Sequence, residues 1–288
     1  MTSRNIFVIG ATGKVGSAAI QQLAKHSHIN IHAGVRDVHK ASTLKNHGVN
    51  LIHMDLDKPD SILSAFEDMH GLLLLTGYSV DMLKQSKRVI DAAKKAGVDH
   101  IVHIGASGND TAEVAHWGWH KMIEAYIEQQ GFNYTHLQPE AFMQNITAFG
   151  WLENNRVTNL IKDAVWSWVD ANDVGALAGE ALARPEKFRS QVWRLGYDAA
   201  DIKSVAKMLS KKMQKDIQLL DLDPSAFYDA AINAGADPAY MSCIRDQFIL
   251  NGQNAIANAD TTFDENAFLK AVGRLPNKWG SYIEREFS

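Results

Sequence analysis

The most restrictive feature of this chain is the run Phe7-Val-Ile-Gly10-Ala-Thr-Gly13-Lys-Val-Gly16-Ser17. A short apolar strand ends on one glycine, two more follow at intervals of three, and a helical pattern opens behind them. This GxxGxxG spacing is a variant of the GxGxxG fingerprint. Gly10 suits a tight turn off the strand. Gly13 lets backbone approach a pyrophosphate, and Gly16 lets helix and strand pack closely. The free N–H groups and the dipole of the helix N-terminus then favour an anion. At the head of a strand–helix–strand unit, this arrangement predicts a dinucleotide site.

The rest of the first half fits such a unit. Apolar runs occur at Asn5–Gly10, Asn30–Val35, Asn50–Met54, Gly71–Thr76, His100–Ile104 and Asn133–Leu137. Amphipathic stretches of helical length separate them, at Ser17–Lys25, Ser61–Met69 and Asp81–Ala96. Strands that are almost continuously apolar, alternating with helices, imply a parallel sheet covered on both faces. The expected fold is therefore α/β, a doubly wound parallel sheet of Rossmann type with a smaller C-terminal α/β substrate lobe. The expected boundary divides residues 1–152 from 153–288, with segments near 166–195 returning to the main core. In the second part, Trp166–Val169, Gln191–Leu195 and Asp216–Leu220 read as strands. Asp173–Ala183 and Ile202–Leu209 read as helices. Arg184-Pro185 ends the first of these, while Asp223-Pro224 and Asp237-Pro238 start later ones.

Composition narrows the function classes. Lys and Arg number 29 against 33 Asp and Glu, a net charge of −4, so no broad attraction to nucleic acid or anionic membrane is expected. A polyanion would need a local site. The single cysteine, Cys243, excludes a disulfide framework and a cysteine-built metal site. No apolar run is long enough to span a bilayer, and no signal pattern opens the chain. The expectation is a soluble cytoplasmic protein without nucleic-acid or membrane partners.

Further residues refine the nucleotide site. The second strand ends at Val35-Arg36-Asp37, where an NAD-preferring site usually carries a carboxylate first. A guanidinium there can pair with a 2′-phosphate, so Arg36 favours NADP, with Lys14 and Lys40 adding charge. Asp37 argues the other way, since it can repel that phosphate or bind a ribose hydroxyl. Asp55, after the third strand, can accept from an adenine amino group or cap the helix beyond Pro59. Thr76 and Gly77 follow the fourth strand and should meet the same crevice. Thr12 and Val15 belong to the glycine loop itself.

Together these residues resemble the NmrA-like family of atypical short-chain dehydrogenases/reductases. Four further segments carry the resemblance: Val35–Leu44, Tyr134–Asn145, Trp168–Val174 and Ala271–Pro276. Their order spans essentially the whole chain. The spacing at Val35–Leu44 and His120–Tyr134 is most similar to the bacterial quinone-reductase and triphenylmethane-dye-reductase branch. The resemblance implies NADP(H) as cofactor and hydride transfer to quinones, dyes or enones. Some members instead bind the nucleotide as a redox signal and regulate a protein partner.

The usual catalytic pair of short-chain dehydrogenases, Tyr-x-x-x-Lys, is missing: none of the seven tyrosines has lysine four residues later. The helix after the fifth strand instead carries His116, His120 and Glu124 on one stripe. Relatives in that branch have histidine at the position of His120, and other members have lysine near it, which brings in Lys121. Either residue can steady charge that develops on a substrate oxygen. A zinc site at His116 and His120 lacks a third ligand motif. Ser107 stands where the wider superfamily has a substrate-polarising serine, and also suits a helix cap. Asn109 lies in the same loop. Pro139 follows the sixth strand, beside the expected nicotinamide position.

Tyr78, Trp117, Phe142 and Asn145 are the candidate substrate contacts. Trp119, Trp151, Trp166 and Trp168 also fall in the span bordering the cleft, where ordinary core packing competes with substrate contact. The leading expectation is an NADPH-dependent reductase of a small aromatic or conjugated substrate, compatible with a homodimer. The rival is a non-catalytic NADP(H)-binding redox sensor.

Overall fold

The computed structural model describes residues 3–108, 114–148, 150–253 and 263–287. The first half runs β1 (Arg4–Ile9), α1 (Lys14–Leu23), β2 (Ile29–Val35), β3 (Asn50–His53), α2 (Asp60–Leu63), β4 (Gly71–Leu74), α3 (Met82–Lys95), β5 (His100–Ile104), α4 (Ala115–Gln129) and β6 (Asn133–Pro139). The second half adds β7 (Ala141–Phe142), α5 (Asn145–Ala148), β8 (Leu152–Glu153), β9 (Arg156–Asn159), β10 (Trp166–Val169), α6 (Ala171–Ala183) and β11 (Gln191–Leu195). It closes with β12 (Asp198–Ala200), α7 (Ile202–Met213), β13 (Gln218–Asp221), α8 (Pro224–Asn233), α9 (Pro238–Gly252), α10 (Glu265–Val272) and α11 (Trp279–Glu286).

Seven strands form one sheet in the order β11-β6-β5-β4-β1-β2-β3. Every neighbouring pair in it is parallel. The order reverses at β1, which pairs with β2 on one side and β4 on the other. A crevice opens beyond the strand ends at such a reversal, because successive crossover helices leave it in opposite directions.

Strand alternation explains why both faces are apolar. Ile6 and Val8 of β1 point into a core with α1 and α6, whereas Phe7 and Ile9 point into a second core with α3 and α4. All four are buried. The expected continuous apolar strands are the consequence. β11 and α6 come from the second half but complete this body, β11 alongside β6 and α6 against α1.

The remainder has its own core, in which Trp151, Trp166, Trp168, Phe248, Trp279 and Tyr282 interlock. Two small three-stranded sheets, β12-β10-β7 and β13-β9-β8, support it. The helix starts follow their caps: Asp223 accepts from Ser225 N and Asp237 from Tyr240 N, each with proline in the first turn.

One segment departs from its periodicity. The helical pattern over Ser61–Met69 forms α2 only to Leu63, then a 3-10 turn over Ser64–Phe66. The chain must turn sharply to enter β4 at Gly71. Asp68 takes a left-handed conformation, φ 61°, and its carbonyl accepts from Asn5 Nδ2. Among the described residues, no helix is long and apolar enough to cross a membrane.

Candidate functional site

A crevice of about 890 Å³ lies beyond β1 and β4, at the reversal of strand order. Gly10 leaves β1 with φ +71°, a conformation that costs side-chain-bearing residues about 1 kcal/mol or more. Gly13 N then donates to Gly10 O at 2.9 Å, closing the turn. Gly13 is also the N-cap of α1 and offers no side-chain cap, and no acidic residue occupies the first helical turn. The helix therefore presents uncompensated N–H groups toward the crevice, as an anion requires. A Cβ on Gly16 would lie 2.2 Å from Gly10 O, so only glycine lets α1 start this close to the strand.

One end of the crevice is lined by Arg36, Asp37, Lys40, Met54, Asp55 and Asp57. Asp37 lines this end with one carboxylate oxygen engaged. Its Oδ1 accepts from His39 N at 2.9 Å and Lys40 N at 3.1 Å, which holds the carboxylate in its own turn. Asp55 Oδ1 likewise accepts from Asp57 N, and Lys58 lies 3.6 Å from Oδ2. The Asp57 bond leads the causes that hold the Asp55 carboxyl below its ordinary range. Asp55 thus closes a local turn, and α2 begins after Pro59 without a side-chain cap.

The other end is lined by Thr76, Gly77, Tyr78, Phe142, Gln144 and Asn145. Gln144 is fixed from behind, donating to Asp170 Oδ1 at 2.6 Å and accepting from Ala171 N at 3.0 Å. Asp170 is fully buried and also meets Asn277 Nδ2 at 2.9 Å and Arg285 Nη1 at 2.8 Å. The C-terminal segment therefore braces this end. The Tyr78 ring packs edge-on against Tyr240 of α9, 5.8 Å between centroids, and Tyr240 packs against His116. Tyr78 remains 69% exposed overall, and local desolvation pushes its phenol up, so it stays protonated at neutral pH.

The fold thus brings Gly10, Thr12, Gly13, Lys14, Val15, Arg36, Lys40, Asp55, Thr76, Gly77, Tyr78, Phe142 and Asn145 to one crevice. The other sequence-nominated residues are not among its lining. Gly16 packs beneath the loop. Pro139 ends β6, and its carbonyl accepts from Ser107 N at 2.9 Å. Ser107 is buried, with Oγ accepting from Arg194 Nε and Nη2 at 3.2 and 3.1 Å. Nearby, burial pushes the Glu140 carboxyl up to about 7, with Arg194 opposing.

His120 points into the layer between α4 and the sheet, with Nδ1 3.4 Å from His103 Nε2. Burial, with a smaller contribution from His116, pushes its imidazole down to about 3, so the ring is neutral near pH 7. Lys121 projects outward with its side chain about half exposed, and Nζ is 3.5 Å from Glu124 Oε2. Trp117 packs over Gly108 and beside Cys243. Asn109 lies outside the described residues.

Residues 2–269 match the NmrA-like family. The chain belongs to the NmrA-like family. This NmrA-like chain is 30% identical over 185 residues to the NAD(P)H azoreductase of Xenophilus azovorans, an overlap covering 62% of the chain and 64% of the azoreductase. In three dimensions it is similar to the NADPH-dependent quinone oxidoreductase of Escherichia coli complexed with NADPH, with a TM-score of 0.81 and 24% identity, covering 98% of this chain and 100% of that one. The triphenylmethane reductase of Citrobacter sp. complexed with NADP(H) gives a TM-score of 0.81 at 24% identity, covering 97% and 99%. At these identities the two structures establish a shared Rossmann-type fold.

Sequence reasoning did not single out Gln144, Gln85 or Tyr240. Gln144 stands within the Tyr134–Asn145 segment, so its signal was present but carried no assigned role. Gln85 donates to Asp57 Oδ1 at 3.1 Å across the crevice floor. Tyr240 lies on a helix far along the chain, and no local pattern distinguishes it from other core aromatics.

Proposed function

We propose that this NmrA-like chain is an NADPH-dependent reductase that passes hydride to quinone-like, dye-like or other conjugated aromatic and enone acceptors. The supporting observation is the crevice itself: a helix N-terminus free of side-chain caps at one wall, and Arg36 at the rim beside an Asp37 whose Oδ1 accepts from backbone N–H groups of its own turn. The donor set fits the cofactor. Gly10, Thr12, Gly13, Lys14 and Val15 would hold the pyrophosphate, and Arg36 with Lys40 the 2′-phosphate. Asp55 would border the adenine, while Thr76 and Gly77 would flank the ribose and nicotinamide side. In this reading residues 1–152 are the NADP-binding part, and 153–288 are mainly the substrate side.

When bound, the nicotinamide supplies a hydride. The chain aligns the acceptor and excludes water, which accounts for most of the acceleration such a transfer needs. Phe142 offers a flat apolar surface. The Tyr78 phenol and the Asn145 amide donate hydrogen bonds to an acceptor oxygen that gains negative charge. A quinone so reduced takes up hydride and one proton, and leaves as hydroquinone with NADP+. Delocalised product charge suits a site without Tyr-x-x-x-Lys. Ser107, Trp117, His120 and Lys121 stand outside the crevice lining, and this reading gives them no contact with the acceptor.

The test is NADPH oxidation with a panel of quinones, azo and triphenylmethane dyes, and enones. Saturable turnover that falls in Tyr78→Phe and Asn145→Ala supports the reading. Tight NADPH binding without turnover across the panel overturns it in favour of a nucleotide-responsive regulator.

A further inference from the structure

The layer between α4 and the sheet holds an unusual concentration of buried imidazoles. His103 of β5 and His136 of β6 are register partners on neighbouring parallel strands, so both project toward the same helix. Glu124 of α4 faces them. Both histidine side chains are fully buried and that of Glu124 is 7% exposed. Donor atoms of the three lie within 4.8 Å of one another, with His103 Nδ1 4.0 Å from Glu124 Oε1.

These groups are poorly satisfied as a hydrogen-bond network. Among the described residues, His103 Nδ1 and both ring nitrogens of His136 have no hydrogen-bond partner. Leaving a buried polar atom unpaired costs about 1–3 kcal/mol. The two nitrogens of one imidazole diverge, so each ring can offer one donor atom to a partner shared with Glu124. Both imidazoles are fully buried, where the neutral form with its one lone-pair nitrogen is favoured.

We propose that His103, His136 and Glu124 form a binding site for a divalent transition metal of the zinc class. Two imidazoles and one carboxylate suit Zn2+, whereas Mg2+ and Ca2+ seek six or more oxygens. Tetrahedral zinc with ligands at about 2.0–2.2 Å sets its donors about 3.4 Å apart, so closure needs side-chain movements of about 1 Å. The surrounding contacts match those of metal ligands. His103 meets His120 Nδ1 through its other nitrogen, Nε2, and Gln138 Nε2 donates to both Glu124 oxygens at 2.9 and 3.0 Å. Such outer contacts orient metal ligands.

The surrounding charges also fit. Glu128 Oε1 lies 3.3 Å from His136 Nε2 with its side chain 45% exposed, so a second carboxylate stands between the cluster and solvent. Lys121, 3.5 Å from Glu124 Oε2, is the opposing cation, and its half-exposed side chain is free to swing outward. The metal ties α4 to β5 and β6 and leaves a fourth position open. This site is independent of the reductase reading, because none of its ligands lines the crevice.

The test uses tag-free full-length protein, treated with chelator and titrated with Co2+ as a spectroscopic probe, then with Zn2+ in competition. One Co2+ per chain with the strong visible bands of tetrahedral coordination, displaced by Zn2+ and not by Mg2+, is expected. His103→Ala, His136→Ala and Glu124→Gln should each weaken Zn2+ at least about 10-fold. Gln138→Leu should weaken it about 10- to 100-fold, as outer-contact losses do. His53→Ala, at an exposed histidine, should leave it unchanged. Circular dichroism confirms that each variant is folded, and Glu124→Gln preserves volume if the histidine variants are not. Absence of binding, an octahedral Co2+ spectrum, or equal Zn2+ affinity in the folded ligand variants overturns the site.

Discussion

Gly16→Ala isolates the contribution of the loop from that of the helix. The added methyl would sit 2.2 Å from Gly10 O, 2.8 Å from Gly10 C and 3.0 Å from Ala11 Cα. All three are backbone atoms, so no side chain can move aside. Reaching an ordinary contact of about 3.4 Å from the carbonyl demands that loop and helix separate by about 1 Å. Overpacking of this kind costs about 1–3 kcal/mol, while the gain in helix propensity over glycine returns about 1 kcal/mol. Net destabilisation should then be only about 0–2 kcal/mol. The effect on nucleotide binding should be larger. Moving the N–H groups off an anion by about 1 Å loses at least one charged hydrogen bond, about 1.5–3 kcal/mol, or about 10- to 100-fold in affinity. Urea denaturation would measure the first quantity and NADPH fluorescence titration the second. Gly118→Ala is the control, exposed on α4 with open space at its Cβ, and should stabilise by about 0.5–1 kcal/mol without touching affinity. If folded Gly16→Ala binds NADPH as the parent does, the close-approach argument fails.

Arg36→Ala should weaken NADPH by about 10- to 100-fold and NADH hardly at all, because only the former carries the 2′-phosphate; equal affinities in the parent protein would refute the preference. Asp170→Ala removes the N-cap of α6 and leaves Gln144, Asn277 and Arg285 facing an empty buried site, so denaturation should register a loss of about 3–5 kcal/mol, and a loss below about 1 kcal/mol would contradict the assigned network. Glu140 titrates near 7 in the folded chain against 4.5 ordinarily, so the folded state binds its proton more tightly. Its contribution to stability is present in full below pH 4.5 and declines as pH rises to about 7, by at most about 3 kcal/mol. Glu140→Gln should flatten that part of the stability–pH profile, and an unchanged slope would show that another group carries it.

Much of this protein follows from local sequence. The alternation of apolar strands with amphipathic helices determines the parallel sheet, because buried strands must be apolar on both faces. Val8 and Phe7 illustrate this, one in each core. The glycines of the first turn are equally legible, since close approach and positive φ leave almost no other residue type available. Arg36, Thr76, Gly77 and Tyr78 were readable because the residues at parallel-strand ends must converge where strand order reverses.

Tertiary structure decided the rest. Asp37 and Asp55 both line the crevice, and in each one carboxylate oxygen accepts from nearby backbone N–H groups, a local turn geometry that a string of residues does not show. Trp151, Trp166, Trp168 and Trp279 fill the core of the second half, which burial of large apolar area favours over solvent-facing placement. The sequence by itself determined that His120 and Glu124 share a helical stripe. It could not determine what that stripe would face, because the pairing of His103 with His136 is a strand register between residues 33 positions apart in sequence. Periodicity reports which residues of one element share a face. Only the packed sheet brings two strands and a helix together closely enough for three side chains to act as one site.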